Sequence, residues 1–379
     1  MDFELSEELK MIRSLAHDFV VNELRPLERD LLGKSADLSD AQATLSPETE
    51  GALFRKARDA GLWGASVPEE LGGVGLGTLA NCIIEEELAQ TVVPFDLGDV
   101  SPILFDSNES QRARYVTPIL NHEKSAYLAL MEPGLRNERL MKTSARKDDS
   151  HYILSGVKSA VGRWGKDSFA VVFALLAEGK GPTCFLVDAG TPGFDLQVAG
   201  RHSAAKTTLL VRLQNCRVPE SNRLGEEGKA FSLGKKWLPA RRVVRGARAL
   251  GVAQRLLEEA TLRAQTTQWF GKPASERPSV RSAFAEIATD VHACRILVYE
   301  AAWKSDEGRP IRNEASMVKL FATQMLRNVA ARVSHIYGGP SNLPANGPCQ
   351  SVLDATTNGI TAELQKDMIA REVLKGLKI

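Results

Sequence analysis

Residues 335–372 read HIYGGPSNLPANGPCQSVLDATTNGITAELQKDMIARE and join the end of a long helical pattern to the start of the last one. The first pattern stops at Gly338 and Gly339, because glycine tolerates the positive φ at which helices commonly end. Since glycine also has no Cβ, the backbone there can approach a ligand closely. After a loop rich in Pro, Gly and Asn, the hydroxyl of Thr361 is suited to cap the next helix. Since a helix start carries free N–H groups, this joint is a candidate anion site.

The last helix is expected to be two-faced. Ile360, Leu364 and Met368 recur at the spacing of one helical turn and predict an apolar stripe. Asp367 and Arg371 are placed at i, i+4, the spacing at which opposite charges pair on a helix surface. The pattern therefore predicts a helix that packs through one face and carries an ion pair on another.

Length and charge limit the class of protein. At 379 residues the chain is longer than one ordinary core, so two or three packed units are expected. The 48 basic and 47 acidic side chains leave a net charge of +1. A nucleic-acid partner is therefore not indicated.

Targeting segments and disulfides are not indicated either. Residues 1–19, MDFELSEELKMIRSLAHDF, form an amphipathic pattern with acidic residues and lack the apolar core of a signal peptide. No stretch has the length and apolarity needed to span a bilayer, so no membrane insertion is expected. The five cysteines form no C-x-x-C pair, which favours free thiols in a reducing cytoplasm.

Hydrophobic periodicity divides the chain into three parts. Helical spacing over 5–20, 53–62 and 79–88 predicts an N-terminal α-helical domain at residues 1–123. Short apolar or alternating runs separated by Gly, Asp, Asn and Pro predict a small antiparallel sheet or barrel at 124–228. Helical spacing returns from about residue 229 and predicts a C-terminal four-helix bundle at 229–379. The expected fold is mainly α with a central β module.

Two segments between the first helices are expected to be loops. Residues 33–50 are polar, and residues 68–77, PEELGGVGLG, are rich in glycine. The second segment does not match the G-x-G-x-x-G spacing of a dinucleotide-binding turn, and no strand precedes it. It is interpreted as a turn between two helices.

Several motifs resemble one known family. Their order along the chain is similar to that in the acyl-CoA dehydrogenase family of flavoenzymes, over nearly the whole length. They are PEELGGVGLG with IIEEELA, ALMEPG, YILSGVKSAV, CRVPESNRLGEEGKAF, WFGKP, the Gly-Gly turn, and a last helix ending in IARE. The resemblance implies the fold of that family: an N-terminal helical domain, a small antiparallel β-barrel and a C-terminal four-helix bundle.

The resemblance also implies a chemistry that this chain does not fully support. In the family, a glutamate removes the α proton of an acyl-CoA while the flavin of FAD accepts a hydride from the β carbon. Counted back without gaps from the IARE motif of the last helix, that glutamate falls on Gly359. Some family members carry the glutamate on the long bundle helix instead, and that position is Arg241, just before the substrate-side Arg242. Glu363 and Asp354 are the nearest acids, and each is more readily interpreted as structural than as a base.

The cofactor positions implied by the resemblance are partly kept. Those retained for FAD are Glu132, Pro133, Phe270, Gly338, Gly339 and Thr361. Met131 and Gly162 replace threonines near the flavin, and Thr267 replaces an arginine that binds the FAD of a neighbouring subunit. His335 replaces a glutamine and is interpreted as an interface histidine. No metal site is expected.

One helix face carries unusual charge. Arg241, Arg245 and Arg248 share a face, with Arg242 beside them. They are interpreted as a solvated or interface face paired with acids. The alternative is that they project into the acyl or CoA cleft, where guanidinium groups would need anionic partners.

Three hypotheses about function remain open. The chain is a degenerate subunit acting on an acyl-CoA beside a catalytic paralogue, which resembles the heteromeric dehydrogenases of bacterial steroid side-chain breakdown. Alternatively, it is an autonomous flavoenzyme with a different base or reaction, or a non-catalytic binding or scaffold pseudoenzyme. The resemblance further implies a homo- or hetero-oligomer, a dimer of dimers.

Overall fold

The computed structural model describes most of the chain. The described residues are 4–34, 45–135, 140–162, 167–177, 179–203, 206–269, 271–344, 347–349, 352 and 360–376. By Cα proximity the chain divides into two compact units. The first comprises Met1–Ala36, Leu76–Val93 and Leu238–Ile379, and the second comprises Asp37–Gly75 and Pro94–Trp237. The division at 1–123, 124–228 and 229–379 stays a prediction.

The N-terminal part is helical, as its periodicity predicts. The helices are α1 (Glu7–Phe19), α2 (Glu28–Lys34), α3 (Pro47–Asp59), α4 (Thr78–Leu88), and the short α5 (Glu109–Gln111) and α6 (Thr117–Leu120). α3 begins inside the segment 33–50 that was predicted to be loop, because the Ser46 hydroxyl caps it by accepting the Thr49 N–H at 3.1 Å. The turn at 68–77 is confirmed, since it connects α3 to α4 with a single turn of 3₁₀ helix at Glu69–Leu71.

The first unit is built around three long helices and one shorter one. These are α7 (Leu238–Thr266), α8 (Pro278–Asp306), α9 (Arg312–Ile336) and α10 (Ile360–Leu374). α7 starts later than the predicted residue 229 because Gly234 N–H donates to the Asp106 carboxylate at 2.6 Å and holds the preceding residues in short turns. The core between these helices consists largely of alanine, valine and leucine. Small side chains allow the helices to approach closely.

One close helix crossing lies between α7 and α9. A Cβ placed on Gly246 of α7 would come within 2.3 Å of the Val318 side chain on α9. Because no real Cβ makes so short a contact, only glycine permits this approach. The crossing fixes which side chains of the two helices stand next to one another.

α4 is bound into the same unit by polar contacts. Its first N–H groups, from Thr78 and Leu79, donate to the Asp306 carboxylate at 2.6 and 2.9 Å. Farther along, the buried Glu86 accepts from Arg295 at 2.7 Å and from the Tyr299 hydroxyl at 2.8 Å. α4 therefore belongs to the first unit together with α8, α1 and α2, whereas α3, α5 and α6 belong to the second unit.

The second unit contains the predicted β module. Its strands are β1 (Ser125–Ala129), β2 (Ser144–Asp148), β3 (His151–Gly162), β4 (Ser168–Leu176), β5 (Gly181–Asp188), β6 (Phe194–Ser203), β7 (Lys206–Pro219) and β8 (Arg223–Leu224). In the described residues they pair in the order β6-β7-β3-β2-β4-β5-β8, with β1 beside β4.

The sheet differs in two respects from the predicted small antiparallel barrel. β1 and β2 both pair with β4 in parallel, so the sheet is mixed. Among the described strands the ladder is also open between β6 and β8. Alternation in a sequence reports which face of a strand is buried, but it does not report the direction of its neighbour.

Other features can be stated for the described part of the chain. The five cysteines are free and buried, as predicted: Cys82, Cys184, Cys216, Cys294 and Cys349. No helix there combines the length and apolarity that crossing a bilayer requires. In the same residues, no three His, Cys, Asp or Glu side chains are grouped so as to hold a metal ion.

Candidate functional site

The double-glycine turn lies where the sequence places it, after α9. Gly338 and Gly339 have φ of +86° and +122°, values that other residues rarely adopt. The Gly339 N–H donates to Ser334 O at 2.9 Å, which closes the helix end. A Cβ on Gly339 would meet nothing within 4 Å, so the backbone of this turn has an open side.

A cation stands beside this turn. The Arg263 guanidinium of α7 lies over the Tyr337 ring, 5.4 Å from its centroid. Tyr337 is the residue immediately before the double glycine. The turn therefore combines accessible backbone with a nearby positive charge, a combination that suits a phosphate group.

The other residues predicted near this turn are less informative. Thr267 follows the last residue of α7, and its N–H donates to Arg263 O at 2.9 Å. His335 is exposed in the single chain. Phe270 lies outside the described residues, between the two strands of the hairpin β9 (Gln268–Trp269) and β10 (Lys272–Pro273).

The start of the last helix differs from the prediction. α10 begins at Ile360, so Thr361 lies inside its first turn and not at the cap. Different criteria commonly place a helix end one or two residues apart. Its side chain is not described, and Gly359 and Asp354 lie outside the described residues. Glu363 is exposed and bonds to Lys366 at 2.8 Å, which agrees with a structural interpretation.

The faces of α10 are also partly corrected. The predicted pair of Asp367 and Arg371 is present, with a distance of 2.9 Å. Leu364, on the predicted apolar stripe, is 56% exposed, whereas Gln365 is only 2% exposed. The helix therefore turns Gln365 inward and leaves Leu364 of the predicted stripe on the surface of the single chain.

In the second unit, Glu132 is locked into the fold. Its carboxylate accepts from the N–H groups of Lys142 and Thr143 and from Lys158 Nζ, all at 2.8–3.0 Å. The side chain of Lys158 is fully buried and also donates to Leu130 O at 3.0 Å. Glu132 therefore acts as an internal anchor of its loop.

The electrostatics of this pair follow from its surroundings. Burial opposes the charge of Glu132, but hydrogen bonds from Thr143, Lys142 and Lys158 outweigh it and lower the pKa of Glu132 to about 2. Burial lowers the pKa of Lys158, and Glu132 partly restores it. The carboxylate is thus ionised and committed to four donated hydrogen bonds.

The anchored loop presents Pro133 to solvent. Met131 is bridged to Ser159 of β3, and its carbonyl accepts the Ser159 N–H at 2.8 Å. Pro133 follows the buried Glu132 and is exposed. The loop is therefore held rigidly on β3 while its tip remains accessible to a ligand.

The arginines of α7 do not form one paired face. Arg248 pairs with Glu85 of α4 at 3.1 Å, as the interpretation of a paired face expects. Arg242 is partly buried and Arg245 is exposed, and neither has a hydrogen bond or ion pair with the described residues. Burial and Arg312 lower the pKa of Arg242. Part of this face is therefore a site of unpaired positive charge.

Sequence reasoning missed two contributors to these features. Lys158 was overlooked, although it is an even number of positions from the fully buried Tyr152 and Leu154 in β3, which indicates an inward side chain. Arg263 was overlooked because no pattern relates α7 to the turn after α9. Only the packing of the helices brings Arg263 to Tyr337.

Comparison with known proteins extends over the whole chain. Residues 6–123 match the family model described as acyl-CoA dehydrogenase, N-terminal domain. Residues 231–374 match the model described as acyl-CoA dehydrogenase, C-terminal domain. The chain is 31% identical to (R)-benzylsuccinyl-CoA dehydrogenase of Thauera aromatica, over 89% of this chain and 88% of that protein.

Two further relatives cover almost all of the chain. Acryloyl-CoA reductase (NADH) of Anaerotignum propionicum is 30% identical, over 99% of this chain and 96% of that protein. The structure of butyryl-CoA dehydrogenase from Megasphaera elsdenii superposes with a TM-score of 0.83 at 27% identity. The superposition covers 99% of this chain and 100% of that structure.

Proposed function

Because the chain belongs to the acyl-CoA dehydrogenase family, we propose that it is a subunit of an FAD-linked acyl-CoA dehydrogenase that works beside a catalytic paralogue. The family's fold and its cofactor, FAD, are those of this chain. The proposal concerns the division of labour: this chain contributes structure and binding, and the paralogue contributes the base.

The observation that carries the proposal is the loss of both family carboxylates. Gly359 stands at one position of the glutamate and Arg241 at the other. Removal of a proton next to a thioester carbonyl requires a base within hydrogen-bond reach, and neither glycine nor a permanently charged guanidinium provides one.

Two other acids are poor substitutes. Glu363 is exposed and paired with Lys366. Glu132 has a pKa of about 2, which makes it a weak base, and its oxygens already accept hydrogen bonds from the surrounding chain. A base supplied by a second chain accounts for how an assembly would still carry out the reaction.

The described residues fit FAD in part. When bound, the flavin supplies the hydride-accepting chemistry of the family. The open Gly338–Gly339 turn, with Arg263 beside it, would hold a phosphate of the cofactor. In the second unit, the loop anchored by Glu132 exposes Pro133, a position that the family resemblance assigns to FAD. Thr267 contributes no charge where the family has an arginine, which favours a shared or weakly bound flavin.

The decisive experiment restores the missing group. The Gly359→Glu variant of the isolated chain, reconstituted with FAD, should gain acyl-CoA-dependent flavin reduction by about a hundredfold to ten-thousandfold over the unmodified chain. Gly359→Gln is the matched control, because it has nearly the same shape but no basic carboxylate. Full turnover by the unmodified chain alone would contradict the proposal.

A second candidate is an autonomous flavoenzyme with a different reaction. The 30% identity to a protein named acryloyl-CoA reductase (NADH) favours it, since reduction of a double bond can take its α proton from water. With NADH as the hydride donor, this candidate predicts enoyl-CoA reduction by the unmodified chain alone, at a rate that Gly359→Glu does not raise.

We also propose that the chain functions as an oligomer. Several large apolar side chains are exposed on the helices of the first unit, among them Leu262 at 64% and Leu364 at 56%. Apolar side chains that are exposed on one chain are commonly buried between copies or paralogues. Light scattering on the chain alone and co-expressed with a paralogue should give masses above that of a monomer.

A further inference from the structure

In the first unit, partly buried cations are normally paired with acids. Arg255 of α7 bonds to Glu28 at 2.9 Å and to Glu259 at 2.7 Å. Arg295 of α8 bonds to Glu86 at 2.7 Å. These pairs follow the general rule that a charge withdrawn from water requires a partner.

One group of cations departs from this rule. Arg242 and Arg245 on α7 and Arg312 and Lys319 on α9 have no hydrogen bond or ion pair to any acid in the described part of the chain. Two of them, Arg242 and Lys319, are partly buried. Burial, followed by the charges of Arg242 and Arg245, lowers the pKa of Lys319.

The helix crossing explains why these side chains are together. Gly246 and Val318 mark the close approach of α7 and α9, where an added Cβ would lie 2.3 Å from the valine side chain. Arg245 is adjacent to Gly246, and Lys319 is adjacent to Val318. The crossing therefore brings Arg245 and Lys319 onto helix turns that are in contact, where the charges of the arginines act on the lysine.

Such an arrangement is unfavourable in the empty chain and becomes favourable when an anion is present. Like charges at short range disfavour their own ionised forms, and an oxyanion bound between them offsets the repulsion and supplies the partner that the partly buried charges lack. Guanidinium and ammonium groups together match the oxygens of a carboxylate or a phosphate.

We propose that Arg245 and Lys319, next to the substrate-side Arg242, form a binding site for an oxyanion of the CoA thioester substrate. The proposal rests on the proposed function for the identity of the ligand. The oxyanion is either a second carboxylate on the acyl group or a phosphate of CoA, and these two sources share the chemistry that the site recognises. If the carboxylate is bound, the substrate class is the thioesters of dicarboxylic acids.

The test compares two thioesters that differ in one charge. Glutaryl-CoA carries a terminal carboxylate that butyryl-CoA lacks, and both carry the phosphates of CoA. Their dissociation constants are measured by calorimetry on the full chain, without turnover, for the Arg245→Gln and Lys319→Gln variants. Arg248→Gln is the matched control, because its guanidinium is on the same helix but is paired with Glu85.

Loss of one charge-assisted hydrogen bond should weaken binding by about tenfold to a hundredfold. An effect on glutaryl-CoA alone identifies the acyl carboxylate, and an equal effect on both thioesters identifies a phosphate. Lys319→Arg, which keeps the charge, should retain most of the affinity. If neither cluster variant weakens binding, or if Arg248→Gln weakens it as much, the proposal is overturned.

Folding and the proposed function are checked separately. Because the cluster is self-repelling, Arg245→Gln should melt no lower than the unmodified chain when no ligand is present. If the unmodified chain binds neither thioester, the proposed function is contradicted, and inorganic pyrophosphate becomes the probe. Pyrophosphate binding that Arg245→Gln weakens would still support the oxyanion site, and no pyrophosphate binding would overturn it.

Discussion

Replacing Lys158 by methionine should destabilise the second unit strongly. Methionine has a similar length but no charge, so the variant leaves the carboxylate of Glu132 buried with only the N–H groups of Lys142 and Thr143. In the unmodified chain, Lys158 Nζ lies 3.0 Å from Glu132 and its side chain is fully buried. The substitution therefore removes one member of a buried ion pair while leaving the other.

The magnitude follows from the loss of one member of a buried ion pair. Breaking such a pair from one side commonly costs about 3–5 kcal/mol. The pKa of Glu132, lowered despite burial from its ordinary value of 4.5 to about 2, reflects hydrogen bonds from Thr143 and Lys142 as well as from Lys158, so the lysine supplies only part of that stabilisation. For a unit of about 150–250 residues, each kcal/mol shifts Tm by about 2–4 °C, so a loss of about 6–20 °C is expected.

Thermal unfolding followed by circular dichroism and by calorimetry measures this loss. Lys142→Met is the matched control, because Lys142 contributes only its backbone N–H and its side chain is exposed. The double variant Lys158→Met with Glu132→Gln should recover part of the stability, since no buried charge then remains unpaired. A change within about 1 kcal/mol for Lys158→Met would refute the reasoning.

The same pair predicts a pH dependence with a definite sign. Because the folded pKa of Glu132 is below its unfolded value, its contribution is complete above pH 4.5 and is lost as the pH falls from 4.5 through about 2. The difference in stability between the unmodified chain and Glu132→Gln should therefore shrink across this acidic range. A difference that stays constant down to pH 2 would contradict the assigned pKa.

Three further substitutions test the first unit, and Gly51→Ala in the second unit serves as a comparison. Gly246→Ala should destabilise the chain by more than 1 kcal/mol, because its Cβ would clash with Val318. Gly51→Ala should instead stabilise α3 by about 0.5–1 kcal/mol, because its Cβ would have only an ordinary contact at 3.7 Å. Chemical denaturation measures both effects. Thr267→Arg should raise the flavin content of the purified protein, since it restores a charge-assisted phosphate contact. Arg263→Gln should lower the flavin content by removing the guanidinium beside the double-glycine turn; an unchanged content would separate Arg263 from the cofactor.

The helical part of the fold could be predicted because its patterns are local. The spacing of apolar residues over 53–62 and 79–88 depends only on neighbours along the chain; α3 covers the first of these segments as far as Asp59, and α4 covers the second completely. The start of α3 was missed, although Ser46 and Pro47 form a recognisable helix-start signal inside a polar segment. Polarity of the surrounding residues obscured it.

Features that depend on distant partners could not be predicted in the same way. The parallel pairing of β1 with β4 leaves no trace in the alternation of either strand. The position of Lys158 in β3 indicates an inward side chain, but its buried pair with Glu132 is visible only when β3 and its loop are seen together. The placement of the family glutamate on Gly359, conversely, stays a prediction from sequence, since that residue lies outside the described part of the chain.

The first unit is assembled from three separate stretches of chain, and this has a consequence for synthesis on the ribosome. α4 emerges early, but Asp306, Arg295 and Tyr299, which bind its first turn and its buried Glu86, follow only after residues 94–237 have been translated. At ordinary elongation rates the delay is on the order of ten seconds. During that interval the nascent helix exposes an acid and an apolar face that the finished protein covers, so α4 is the segment for which a chaperone would compete.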